Sequence, residues 1–372
     1  MKILVLGGCA DMAAPLIPLL TAEKSIKSIT LADINEEKVR DLAAADTKLS
    51  GVKLDAENHS ELVALMREHD LALGYVGPFY YFEKKMGEAA IEAGCDYISI
   101  CDDYDAYLSV ITLDDKAREK GVKILTGFGN SPGLTQVLAK KGYLSMDRPE
   151  RININWTAGS DESVGATNLM HLFHIFTGTT LQFIDGMEIK VKTGSGKKYV
   201  DFPEPIGNNP VYYTGHAESV SIPRNLPGLK EVTLHGGVKP PYIAGLVKKM
   251  AALKLTTDHS RRRFLANTFH RIEGLFGSQG VDKSVGRIDV HGYDKDENPV
   301  YNYYMYVGHI AEITSLPCYT ATMWHIKGKW NKKPGGVYAP EKIIDKPDDF
   351  LNDLQEKGLR MTFCEETKKK KR

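Results

Sequence analysis

Over its first 130 residues this chain alternates short apolar runs with helical patterns, and few folds accommodate that arrangement. Strand-like runs are Lys2–Leu6, Ser28–Ala32, Val52–Leu54, Leu71–Val76, Tyr97–Cys101 and Val122–Thr126. Between them lie helical stretches at Asp11–Ala22, Glu36–Ala45, Ser60–Glu68, Phe82–Ala93 and Asp114–Lys120, with Gly94 and Gly121 just past the last two. Strands that alternate with helices form parallel sheets covered on both faces. The expectation is an α/β fold, a doubly wound parallel sheet. The unbroken apolar run Ile3-Leu4-Val5-Leu6 suits a central strand of such a sheet.

After Gly133 the texture changes. RININWTAG, MEIKVKTGSG, KEVTLHGG and SVGRIDVHGYD alternate apolar and polar residues at period two, the mark of antiparallel strands with one open face. Helical patterns near Gly165–Thr177 and Arg261–Leu275 interrupt them. The spacing predicts a second, mixed α+β domain over 134–309. Helical patterns return from Ala311 and run to Asp348–Lys357, with a last strand at Arg360–Phe363. A basic tail, 367–372, is expected to be a solvated terminus.

Composition narrows the function. The 372 residues suit two domains. Lysine plus arginine equal aspartate plus glutamate, 48 against 48, which disfavours nucleic acid and membrane surfaces as partners. No apolar run reaches membrane-spanning length, and the first residues enter a strand rather than a signal peptide. Five scattered cysteines without a CxxC pair indicate neither a disulfide framework nor a metal knuckle. A cytoplasmic protein is the expectation.

The stretch GGCADMA between the first strand and helix is the candidate phosphate turn. Gly7, Gly8, Cys9, Ala10, Asp11 and Met12 would border a dinucleotide, because small residues there let backbone N–H groups approach a pyrophosphate at a helix N-terminus. In a GxxGxxG frame, Gly7, Ala10 and Ala13 keep the period of three. Ala10 is the weak link: its Cβ either narrows the phosphate site or excludes a left-handed backbone. Asp33, 26 residues beyond Gly7, stands where an acidic side chain accepts the ribose hydroxyls and repels a 2′-phosphate. NAD is favoured, with NADP as the alternative. Asp33 could instead cap the next helix with Glu36.

Further motifs carry a family resemblance. YVGPFYYFEKKMGEAAIEAGCDYISICDDYD, GVKILTGFGNSPGLTQVLA, FPEP, GHAESVSIPR and GGVYAPEKIID resemble the saccharopine dehydrogenase family, which includes lysine 6-dehydrogenase-like and carboxynorspermidine dehydrogenase-like members. The departures are Ala10 and Ala13, where the family usually has glycine. The resemblance implies a Rossmann domain, 1–133, completed by 310–366, and a substrate-binding domain that also makes a homodimer. It also implies hydride transfer at the C–N bond of an amino-acid-like small molecule.

That chemistry needs a nicotinamide face, a base and a carboxylate clamp. Gly77, Pro78 and Phe79 after strand four, with Gly129 and Pro132 after strand six, are candidates for the cofactor face. Asn130 is a candidate for substrate contact. Asp102 or Asp103 is the first choice for the base or for an ammonium anchor, with His174 and His216 as further candidates, and Arg224 for the clamp. Arg224 could equally be a surface charge. His171 and His174, one helical turn apart, read as ligands or as satisfied core histidines; no metal is expected. Two further readings stay open: a synthase-type transferase that recycles bound NAD, like homospermidine synthase, and a non-catalytic dinucleotide-binding protein.

Overall fold

The computed structural model describes residues 1–162, 166–272 and 280–367. The first part of the chain runs β1 (Lys2–Leu6), α1 (Leu16–Thr21), β2 (Ser28–Asp33), α2 (Glu36–Ala43), β3 (Leu49–Lys53), α3 (His59–Arg67) and β4 (Leu71–Gly74). It continues through α4 (Phe79–Ala93), β5 (Asp96–Ser99), α5 (Tyr104–Val110), α6 (Asp114–Lys120), β6 (Lys123–Leu125) and α7 (Leu134–Leu144). Then come β7 (Arg148–Gly159), α8 (Ala166–Ile175), β8 (Thr179–Ile184), β9 (Met187–Lys192), β10 (Lys198–Asp201), β11 (Asn208–Tyr213) and α9 (Glu218–Asn225). The remainder is β12 (Glu231–Lys239), α10 (Tyr242–Ala252), α11 (His259–Ile272), β13 (Ser284–Tyr293), β14 (Pro299–Gly308), α12 (Ile310–Ile326), β15 (Gly336–Tyr338), α13 (Pro340–Ile343), α14 (Pro347–Glu356) and β16 (Arg360–Thr367).

Two compact units result: Met1–Leu134 with Ala311–Ile343, and Thr135–Ile310 with Ile344–Arg372. The first holds a wholly parallel sheet in the order β15-β6-β5-β4-β1-β2-β3. Ile3, Leu4, Val5 and Leu6 are completely buried at its centre, as helices on both faces of a parallel sheet require. The six expected strands are present, each shifted by at most a few residues. A seventh, β15, comes from the returning chain and pairs with β6.

Three expectations are corrected here. Helix α1 starts at Leu16 rather than Asp11, because residues 10–15 form successive turns: Ala10 N–H donates to the Gly7 carbonyl at 2.9 Å and Ala13 N–H to Ala10 at 2.8 Å. Pro15 precedes α1 and Pro18 sits in its first turn, where a missing N–H leaves no bond unmade. Helix α5 was not expected; Ala106, Tyr107 and Val110 bury one side of it. Finally, 310–366 does not stay together. Ala311–Ile343 belongs to the first unit, whereas Ile344 onward joins the second, where β16 pairs antiparallel with β14.

The second unit is a nine-stranded mixed sheet with the path β10-β11-β12-β7-β13-β14-β16, plus β8 beside β12 and β9 beside β8. Its central pair, β7 with β12, is parallel, an exception to the antiparallel expectation. Ile152, Ile154 and Val232, Leu234 stand on one face in register, and Asn153, Asn155 and Thr233, His235 on the other. The expected helices at 165–177 and 261–275 are found as α8 and α11; Gly165 and 273–275 lie outside the described residues, as do 368–372 of the basic tail.

Candidate active site

The phosphate turn is built by close approach. Gly7 has φ +78°, and a Cβ there would stand 2.7 Å from the Tyr75 carbonyl carbon and oxygen. A Cβ on Gly8 would meet Leu31 Cβ at 2.8 Å. Both glycines thus let the turn lie directly on the carboxyl ends of β4 and β2. The Gly7 amide donates to the Ala32 carbonyl at 2.8 Å. Ala10 does not carry a positive φ: the non-glycine residues that do, among those described, are Asp185, Lys254 and Glu297. The left-handed position of the turn is Gly7, so the alanine at position 10 imposes no backbone strain.

Asp33 ends β2, and its carboxylate accepts from Cys9 N at 3.0 Å and from Asn35 N at 3.0 Å. Capping of α2 falls to Asn35, whose Oδ1 accepts from Lys38 N at 3.0 Å. The alternative of Asp33 as the helix cap is therefore corrected: its carboxylate ties strand end to turn. Lys38 Nζ donates to the Cys9 carbonyl at 2.9 Å. Burial and the nearby Asp33 carboxylate push the Cys9 thiol up to about 11. A cavity of about 360 Å³ opens between Gly8–Asp11 and the α2 residues Lys38 and Leu42. The residues present fit a dinucleotide, since the two glycines let the turn lie against the strand ends ahead of α1 and an acidic side chain stands at the end of β2.

The loops after β4, β5 and β6 hold the next group of candidates. Gly77 and Pro78 lead into α4, which Phe79 begins. Asp102 is half-buried and Asp103 is fully buried. Asp103 Oδ2 accepts the Tyr80 amide at 2.9 Å, so this carboxylate closes the first turn of α4. That bond gives Asp103 a structural part at the start of α4. Gly129 N–H donates to the Pro132 carbonyl at 3.1 Å and Leu134 N–H to Gly129 at 3.0 Å, folding the loop tightly. Asn130 in that loop is buried, and its Oδ1 has no hydrogen-bond partner among the described residues. A buried amide oxygen left unpaired is costly, and a ligand N–H would satisfy it.

Sequence reasoning missed Glu83, completely buried on α4. Its carboxylate takes hydroxyl hydrogen bonds from Ser99 (2.6 Å), Thr126 (2.7 Å) and Tyr97 (3.1 Å). Burial pushes this carboxyl above the usual range while the three hydroxyls oppose the shift. One glutamate inside a helical pattern carries no signal of such a role.

In the second unit, His171 Nε2 and His216 Nε2 stand 3.1 Å apart, and the Trp156 ring stacks on His216 with centroids 5.1 Å apart. His174 lies half-buried in the last turn of α8. Glu218 is fully buried and accepts from Thr135 Oγ1 at 2.7 Å. Arg224 pairs with Glu188 at 2.6 Å and donates to the Val220 carbonyl at 3.0 Å. The guanidinium of Arg224 is thus engaged at a half-exposed position by Glu188 and by the backbone of its own helix.

Comparison with known proteins follows the same lines. Residues 3–125 match the family model of the saccharopine dehydrogenase NADP binding domain. Over 96% of both chains, the protein is 24% identical to a carboxyaminopropylagmatine dehydrogenase of Synechocystis sp.. It is similar in fold to the saccharopine dehydrogenase (L-Glu forming) of Saccharomyces cerevisiae, with a TM-score of 0.71 at 15% identity, covering 98% of this chain and 99% of that one. The first unit is thus an NAD(P)-binding domain. Among the described residues no helix is long and apolar enough to cross a membrane.

Proposed function

We propose, from the premise that this chain belongs to the saccharopine dehydrogenase family, that it is an NAD(P)-dependent oxidoreductase acting on the C–N bond of an amino-acid-derived amine or secondary amine. The observation that carries the reading is the pairing, in one unit, of a dinucleotide turn with Asp102 and the unpaired Asn130 oxygen in loops at the carboxyl edge of the sheet. Ligands of doubly wound sheets bind beyond that edge. The Synechocystis relative, named for a carboxyaminopropyl-substituted agmatine, supports a substituted amine as the substrate class.

A dinucleotide held at Gly7, Gly8 and Asp33 would supply a hydride acceptor for the carbon that bears nitrogen. Asp102 takes the proton from that nitrogen as the C=N bond forms, so two electrons and one proton leave the carbon as hydride and one proton leaves nitrogen. Asn130 Oδ1 accepts a hydrogen bond from the substrate nitrogen or the cofactor amide and fixes its orientation. Asp33 favours NAD over NADP, because a 2′-phosphate beside its carboxylate would meet like charge. The chain works as a homodimer in the cytoplasm; the family resemblance supports the dimer, and cysteines without disulfides suit a reducing compartment.

Titration with NADH and NADPH, followed by NAD reduction with a panel of secondary amines, tests the reading. Stoichiometric NADH release with one amine upholds it. Turnover without NADH release would instead favour the synthase that recycles its cofactor.

A further inference from the structure

Helix α4 is fastened to the loops beyond it at two levels. At its first turn, Asp103 holds the Tyr80 amide. One turn further on, Glu83 holds Ser99 at the end of β5, Thr126 just beyond β6, and the Tyr97 hydroxyl. Ser99 is engaged twice, since its carbonyl also accepts the Phe128 amide at 2.7 Å. Room for the Tyr97 hydroxyl exists only because position 74, at the end of β4, is glycine: a Cβ there would stand 2.0 Å from that oxygen. Ser99 and Thr126 lie at or next to the carboxyl ends of β5 and β6, and Tyr97, from within β5, brings its hydroxyl to the end of β4.

A completely buried carboxylate adds little to stability that a well-packed apolar side chain would not, because its desolvation cost offsets its bonds. What it supplies is geometry. Both oxygens are used, and three donors from two strands converge on one group, so the ends of β5 and β6 hold one spacing.

We propose that Glu83 is a positioning residue, a buried clamp that holds the Asp102 and Asn130 loops in the arrangement C–N oxidation requires. This rests on the activity proposed above. Glu83 is not a catalytic residue, for it lies beneath the loops and acts through Ser99 and Thr126.

The test compares Glu83→Gln, Thr126→Val and Thr126→Ser in the full chain. Glu83→Gln keeps the shape but turns an NH2 group toward a hydroxyl donor. A displacement of the reacting groups by about 1 Å lowers rate on the order of 100-fold. The expected result is therefore kcat down by about 30- to 100-fold, with NADH affinity and substrate KM changed less than about threefold. Thr126→Val lowers kcat similarly, and Thr126→Ser, which restores the hydroxyl, restores the rate. Glu83→Gln combined with Thr126→Val falls no further than Glu83→Gln alone, because both cut the same clamp.

Amide hydrogen exchange supplies a readout independent of any substrate. In both crippled variants, residues 101–105 and 127–133 exchange faster, while β1 and β2 do not. Unchanged kcat and unchanged exchange in a folded Glu83→Gln protein would overturn the clamp. So would global unfolding of both Glu83→Gln and Thr126→Val, which would make the group a determinant of folding. Should the wild-type protein oxidise no amine, the proposed activity fails, and the exchange pattern alone then decides whether Glu83 holds these loops.

Discussion

The two sheets place their buried polar groups in opposite ways. In the first, β4 is apolar throughout and β1 is apolar from Ile3 onward, and the polar side chains Glu83, Ser99, Asp103 and Thr126 gather at the carboxyl edge. In the second, polar residues run across one whole face: Asn155, Thr233 and His235 are buried, and Arg287 and Asp289 stand in register beside them, linked with Tyr301 by hydrogen bonds of 2.6–2.9 Å. An edge cluster concentrates chemistry where a ligand can reach it, and leaves the core to supply stability. A polar face mixes the two roles. Substitutions at the first edge should therefore alter binding and rate, except at Asp103, which closes a helix end, whereas those on the second face should alter stability and its pH dependence.

The sharpest break is Gly7→Val. Its side chain would collide with the Tyr75 carbonyl and hold a left-handed backbone that costs about 1–3 kcal/mol before the clash is counted. NADH binding should disappear by fluorescence titration, with the second unit still folded. Next is Asp102→Asn, expected to lower kcat by about 10²–10⁴ as a lost base does, with the melting temperature unmoved. Asp103→Asn should reverse that balance. It weakens the closure of α4 at Tyr80, and a lost helix-end bond costs about 1 kcal/mol, read as a lower urea midpoint while kcat falls less than in Asp102→Asn.

On the second face, burial, with Lys198 nearby, pushes His235 down from its usual value to about 2. The unfolded chain takes up that proton below pH 6.5 and the folded one does not, so stability falls as pH drops from 6.5 toward 2. His235→Phe should flatten this acid limb, measured by urea unfolding at pH 7 and pH 5. An unchanged slope would mean the face is not what titrates. The smallest effect is expected from Arg224→Gln. Breaking its half-exposed pair with Glu188 should cost under about 1 kcal/mol and leave substrate KM within about twofold; a KM rise of tenfold would identify Arg224 as the carboxylate clamp.

Much of this was legible in the residues. Apolar runs set against helical periods determine a parallel sheet, because strands buried on both faces must be apolar throughout and their crossovers need amphipathic helices. The turn and Asp33 are local in sequence, so their small residues and spacing announce them. The pairing of Asn35 with Lys38, which frees Asp33 for the turn, depends on three-dimensional angles that spacing does not carry. The same holds for the roles of neighbouring acids. Asp102 and Asp103 are chemically identical in the sequence, and only the structure shows which of them receives the Tyr80 amide.

Tertiary structure alone decided where β16 goes, since an alternating strand suits either sheet and only pairing with β14 selects one. It likewise brought Glu83 to Ser99 and Thr126, 16 and 43 residues away. Periodicity is written by neighbours along the chain. Convergence of hydroxyls on a buried carboxylate is written by packing between elements, and no local pattern encodes it.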